Sequence, residues 1–323
     1  MRIGGIFLLF ALCVGSAGCT SRQSIVAGRV GAWSIQEVSN GTLIADDFNA
    51  STAPRDLADK YEFNGDAGTH VGYVEAPGDG LRVGVRSHGG ISFEGWFAVT
   101  YEAFPPSSIF HAHIGRPQGN LDGPDHAETV FAVQTASTKI TGIINYVVVG
   151  STTGESGTLW EVGYAHGSVA NAKTEIFWSE KDESLAQDVT IRTDGSHHLT
   201  VWFDDLEVFA SDYLHLNVEP PFQPYLEVQS EHVPYVATFT DFWVVRDQSL
   251  IIENAPPNET VCLDYGDKSQ SVCAPTSADG TVHLSLPAPR CHGIGVITIG
   301  TPVTPNVVFK TAYSCGSRYR ISR

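Results

Sequence analysis

From Asp46 to Val245 the chain is a succession of short aromatic and β-branched runs separated by turn residues, with no helical period sustained over a dozen positions. Such a chain hides its apolar side chains by stacking strands, so the sequence predicts an all-β fold. The runs cover 93–101, 129–135, 139–149, 158–164, 175–178, 188–193, 197–203 and 225–229. Asp194-Gly195 lies between two of them as a hairpin turn, and Asp204-Asp205 makes a second turn. Many short strands with regular turns describe a sandwich or jelly roll. The last run, 236–245, echoes 43–48: each carries Asp followed by Phe, and pairing the two closes one domain over 44–247.

The first 18 residues have the form of an export signal: Arg2, an apolar stretch from Ile3 to Val14, then small residues through Gly18. Ser16-Ala17-Gly18-Cys19 resembles a lipoprotein processing box, which implies lipid on Cys19 and a membrane anchor. Ser16 stands where Leu or Val is usual, so ordinary secretion stays open. Both routes lead out of the cytoplasm. Cys13 leaves with the signal, and lipid on Cys19 leaves Cys262, Cys273, Cys291 and Cys315, an even set within the last 62 residues. They form no Cys-x-x-Cys pair, so two disulfides are expected rather than zinc. Cys262–Cys273 around a hairpin is the favoured pairing of three, with Cys291–Cys315 following by elimination.

Charge divides the chain in the same place. Overall there are 36 acidic against 19 basic side chains, a net charge of −17, which argues against nonspecific nucleic-acid binding. From Ser249 onward five acidic residues face six basic ones. The expected organisation is therefore a signal (1–18), a tether (19–43), a jelly roll (44–247), a small β-sandwich-like module with two disulfides (248–316) and a mobile basic tail (317–323). Asn40, Asn49 and Asn258 head glycosylation sequons.

Three features carry a resemblance: Asp46-Asp47-Phe48, the Asp194-Gly195 hairpin followed by His198-Leu-Thr-Val-Trp-Phe203, and Thr240-Asp241-Phe242-Trp-Val. On these, residues 44–247 resemble the concanavalin A-like lectin and glucanase superfamily. The resemblance implies a twisted two-sheet jelly roll with a carbohydrate as ligand. Residues 174–229 are also similar to uncharacterised exported proteins of archaea.

The superfamily's glucanases carry two Glu and an Asp alternating on one strand, for paired-carboxylate hydrolysis. The nearest string, Glu180-Lys-Asp-Glu183, lacks apolar alternation and reads as a solvated loop. Alternation elsewhere points to binding. Glu94 and Trp96 share one strand face, His198 and Trp202 another, and Tyr225, Glu227 and Gln229 a third. On one concave sheet these sets form a groove whose aromatic rings suit sugar C–H faces. His111-Ala-His113 puts two imidazoles on one strand face, a chelating pair with Asp122, Asp125 and His126 on the following loop, or simply a polar strand face. Asp46, Asp47 and Asp241 are expected to crowd where the terminal strands pair, and hard oxygen donors there favour structural Ca2+, which related jelly rolls hold near this seam. The leading expectation is an exported, lipid-anchored protein that binds a glycan or surface polymer without catalysis. Its alternatives are a glycoside hydrolase or lyase using an atypical pair such as Glu94 and Glu227, and a structural envelope component.

Overall fold

Alternation of buried and exposed residues shapes nearly every element. A computed structural model describes residues 33–48, 61–65, 72–86, 91–98, 104–119, 127–135, 143–154, 157–168, 171, 173–181, 187–194, 198–211, 222–231, 233–266, 270–300 and 305–323. The signal region, Cys19, Asn49, Asp122, Asp125 and His126 lie outside them. The first eight strands are β1 (Ser34–Ser39), β2 (Thr42–Asp46), β3 (Tyr61–Gly65), β4 (Gly72–Glu75), β5 (Leu81–Val85), β6 (Ile91–Ala98), β7 (Ser107–Ile114) and β8 (Gln118–Gly119). Nine follow: β9 (Ala127–Thr135), β10 (Ile143–Gly154), β11 (Gly157–Ser168), β12 (Lys173–Lys181), β13 (Gln187–Asp194), β14 (Leu199–Phe203), β15 (Leu206–Ser211), β16 (Phe222–Glu231) and β17 (Tyr235–Arg246). The chain ends with β18 (Leu250–Glu253), β19 (Thr260–Tyr265), β20 (Gln270–Pro275), β21 (Val282–Leu284), β22 (His292–Gly300), β23 (Pro305–Ser314) and β24 (Arg318–Ser322).

Two antiparallel sheets make the large sandwich. One runs β12-β11-β10-β9-β16-β6-β3; the other runs β15-β14-β13-β7-β17-β5-β4, with β2 and β8 also paired to β17. Phe131, Trp160 and Leu226 of the first pack against Phe110, Ile191 and Phe239 of the second. The jelly roll expected over 44–247 is therefore present. β13 and β14 pair antiparallel on either side of the expected Asp194-Gly195 turn, of which Gly195 lies outside the described residues, and the turn at 204–205 joins β14 to β15. The terminal strands β2 and β17 pair antiparallel, with Asp46 opposite Phe242.

Strand β17 changes faces partway. Up to Phe239 its odd-numbered residues point into the core. A bulge between Thr240 and Trp243, with Asp241 at φ 47°, inserts one residue. Beyond it Phe242 and Val244 are core, while Trp243 and Val245 face outward, because a one-residue slip inverts the side-chain alternation.

The module is a second sandwich, of sheets β1-β24-β18-β21 and β20-β19-β22-β23. Its disulfides are Cys262–Cys273, across the β19–β20 hairpin, and Cys291–Cys315, as expected from their spacing. Two boundaries need correction. Within the expected tether (19–43), residues 34–39 form β1, and the expected mobile tail (317–323) contains β24, paired to β1 and, in parallel, to β18. The polar surroundings conceal a period-two pattern: Ile35, Tyr319 and Ile321 are buried between exposed Ser and Arg residues, and Arg318 and Arg320 both pair with Glu253. The module is thus assembled from both ends of the jelly roll.

Trp243, Val245 and Ile109 on the outer face of the jelly roll pack against Ala288, Cys291 and Cys315 of the module. Arg290 of the short helical turn Ala288–Arg290 pairs with Asp205, its Nε 2.9 Å from Oδ1. One expected outcome follows from β24. Ile321→Ala should destabilise the module by about 2–5 kcal/mol, the range for a buried aliphatic truncation, where a mobile tail would give no more than about 0.5 kcal/mol. Urea unfolding followed by fluorescence distinguishes the two, since Trp33 packs on the same core.

Candidate functional site

The outer face of the seven-stranded sheet is a groove. Register sets Glu227 of β16 opposite Val130 of β9, Val130 opposite Gly150 of β10, and Gly150 opposite Glu161 of β11. One row across four strands therefore runs carboxyl, valine, glycine, carboxyl. In neighbouring rows Tyr225 lies opposite Ala132 and Gln229 opposite Glu128. A cleft of about 340 Å³ opens above these rows, lined by Glu128, Glu161, Tyr225, Glu227 and Gln229, with Thr174 and Ile176 at the β12 edge. Its floor is apolar at the centre, where Val130, Ala132 and Tyr225 cluster. At Gly150 a Cβ would sit 1.9 Å from the Thr129 carbonyl oxygen, so the floor stays bare there.

Glu227 is half-buried beside this cluster. Burial, and after it the charge of Glu128, pushes its carboxyl up to about 8. Below about pH 8 Glu227 is the un-ionised acid, which carries an O–H that an ionised carboxylate lacks.

The sequence reading placed three strand faces in one groove, and the structure separates them. Tyr225, Glu227 and Gln229 line the groove. Glu94 and Trp96 lie on β6, where the backbone register sets them opposite the core residues Val228 and Leu226; their side chains fall outside the described residues. Trp202 belongs to the other sheet and packs at the seam with the module, while His198 is exposed beside Asp194 at 3.2 Å. Period two assigns a residue to a face, but which face meets solvent depends on sheet pairing. Glu128 and Glu161 went unrecognised because each is the lone carboxylate of its own strand, and only cross-strand register brings them to Glu227. Glu180 lies on the exposed edge strand β12 rather than in a loop.

His111 and His113 lie on β7, on the outer face of the nine-stranded sheet. His111 is buried, stacked on Trp243 with ring centroids 4.5 Å apart. The carboxylates expected to hold Ca2+ do not converge. Asp46 is buried, accepts from the Phe48 N–H at 3.1 Å and acts electrostatically on the Tyr61 hydroxyl, whereas Asp241 lies on the outer face 3.5 Å from His111 Nε2. Asp47 is exposed. These residues do not fit a shared calcium site. Asn40 and Asn258 are both exposed.

No family model and no curated protein matches the chain. Solved structures do align with it. A Bacteroides ovatus mixed-linkage-glucan GH16 protein in complex with its product aligns at 11% identity and TM-score 0.43, over 62% of this chain and 99% of that one. A legume lectin-like domain from Entamoeba histolytica aligns at 10% identity and TM-score 0.39, over 63% and 98%. An endo-β-1,3-glucanase from Pyrococcus furiosus aligns at 11% identity and TM-score 0.41, over 64% and 94%. At such identities and scores no ligand or reaction carries across.

The carboxyl of Glu227 gives a pH test. Its value in the fold lies above the ordinary 4.5, so its contribution to stability is fully present below 4.5 and is lost as pH rises through about 8. Glu227→Gln should remove that decline. Between pH 5 and pH 9 the native chain should lose roughly 3 kcal/mol relative to the variant, at about 1.4 kcal/mol per unit reduced for partial exposure. Parallel denaturation curves at the two pH values measure the difference, and identical slopes would refute the assignment.

Proposed function

We propose that the groove on the seven-stranded sheet binds a glycan, and that the exported chain acts as a carbohydrate-binding protein. The observation that carries this reading is the groove lining: an apolar floor of Val130 and Tyr225, backed by Ala132, flanked by Glu128, Glu161, Glu227 and Gln229. A sugar ring offers the complementary surface, with C–H faces for the floor and hydroxyls for the polar rim. Neutral Glu227 adds a donor among acceptors, so ring and hydroxyl oxygens as well as O–H groups find partners. The disulfides accord with an extracytoplasmic setting, and the run Ser16-Ala17-Gly18-Cys19 motivates a lipid anchor at Cys19 as part of the same proposal.

A second reading rests on one further observation. Glu128 and Glu227 stand on adjacent strands, two positions out of register, and the charge of one raises the carboxyl of the other. Such a coupled pair suits glycoside hydrolysis, with Glu227 as the acid and Glu128 as its partner.

The oxidised exported chain, screened on a glycan array near pH 6, should bind a restricted set of glycans. Glu161→Ala and Gln229→Ala should each weaken binding about tenfold, the equivalent of one hydrogen bond. Undiminished binding in both variants would place the ligand elsewhere and refute the groove. Incubation with the bound glycan then separates the two readings. Release of reducing ends, abolished in Glu227→Gln, establishes hydrolysis; stable binding without release establishes the binding protein.

A further inference from the structure

We propose that the outer face of the nine-stranded sheet holds a zinc site, formed by His111 Nε2, His113 Nε2 and the Asp241 carboxylate. His111 and His113 are alternate residues of β7 and share one face of the sheet. Each imidazole has its Nδ1 already engaged by β13: His111 Nδ1 lies 2.9 Å from Thr190 Oγ1, and His113 Nδ1 lies 2.6 Å from Asp188 Oδ1. Partners of this kind fix ring orientation and tautomer in metal-binding histidines, leaving Nε2 as the ligand atom. His111 Nε2 is 3.5 Å from Asp241 Oδ2. Among the described residues His113 Nε2 has no partner.

The bulge in β17 explains how Asp241 reaches this place. It sets two residues of β17 against Ala112, and Asp241, at φ 47°, projects on the histidine side while Phe242 enters the core. The Asp241 charge also acts on His113, so it is electrostatically close to both rings. Stacking on Trp243, with the rings 9° from parallel, holds the His111 ring plane. Among the described residues no three such side chains stand ready as a metal cage. Asp241 is 65% exposed, which leaves its carboxylate free to turn toward His113 Nε2 while both rings keep their Nδ1 partners. Two imidazoles and a carboxylate favour zinc over calcium or magnesium, and three protein donors leave a fourth position for water.

The test is calorimetric titration of the chelator-treated, oxidised full chain with zinc chloride, alongside cobalt substitution read by visible absorption. One zinc per chain is expected, with a tetrahedral cobalt spectrum. Asp188→Ala, which removes the side-chain partner of His113 Nδ1, should weaken binding about 10–100-fold. Asp241→Asn and His113→Gln should weaken it at least as much and change the cobalt spectrum. Asn accepts the left-handed backbone at 241, so that variant keeps the fold, which near-UV circular dichroism checks. His283→Gln, on the module, should change nothing. Absence of stoichiometric uptake, or uptake that survives either Asp241→Asn or His113→Gln, overturns the site.

Discussion

The architecture depends on the inversion of β17 at Asp241. This strand pairs with β2, β5, β7 and β8 and contributes Phe239, Phe242 and Val244 to the large core. A regular strand would hide one row of side chains and wet the other. The extra residue lets the segment 242–245 be buried on both sides, with Trp243 and Val245 against the module. Asp241, the inserted residue, has a non-glycine left-handed backbone, a cost offset by the two surfaces it allows to form. The module is joined to both ends of the jelly roll by the chain itself, and its internal Cys291–Cys315 bridge packs in the seam.

The two outer faces of the jelly roll consequently differ in kind. On the nine-stranded sheet the module covers Trp243 and Trp202, His113 pairs with Asp188, and Asp205 pairs with the module's Arg290. On the seven-stranded sheet a cleft remains above Val130, Gly150 and Tyr225. There the fold half-buries a carboxyl, Glu227, beside a second one, a combination that works against stability above the ordinary carboxyl range. That combination lies at the centre of the groove proposed above to bind a glycan.

Much of the fold was legible. Period-two runs and Asp-Gly turns located most strands of the jelly roll, the Asp-Phe echo located the pairing of its terminal strands, and cysteine spacing located both disulfides. These signals are local, or follow from few alternatives. What escaped was non-local. Ile35, Tyr319 and Ile321 occupy strands of five or six residues, too short to be distinguished from polar termini until each is seen to lie against the other. The groove was legible only as the trio Tyr225, Glu227 and Gln229, because Glu128 and Glu161 join it through register across four strands.

The sequence by itself determined the all-β class, the paired cysteines and the alternation that assigns each side chain to one of two strand faces. These depend on backbone stereochemistry and on short-range spacing, which one strand carries alone. Only the tertiary structure decided which face meets solvent, which strands are neighbours, and that Asp46 and Asp241 turn to opposite sides of the sheet. Those outcomes depend on pairing order and on one inserted residue at Asp241, and a sheet's hydrogen bonds join residues that the chain keeps far apart.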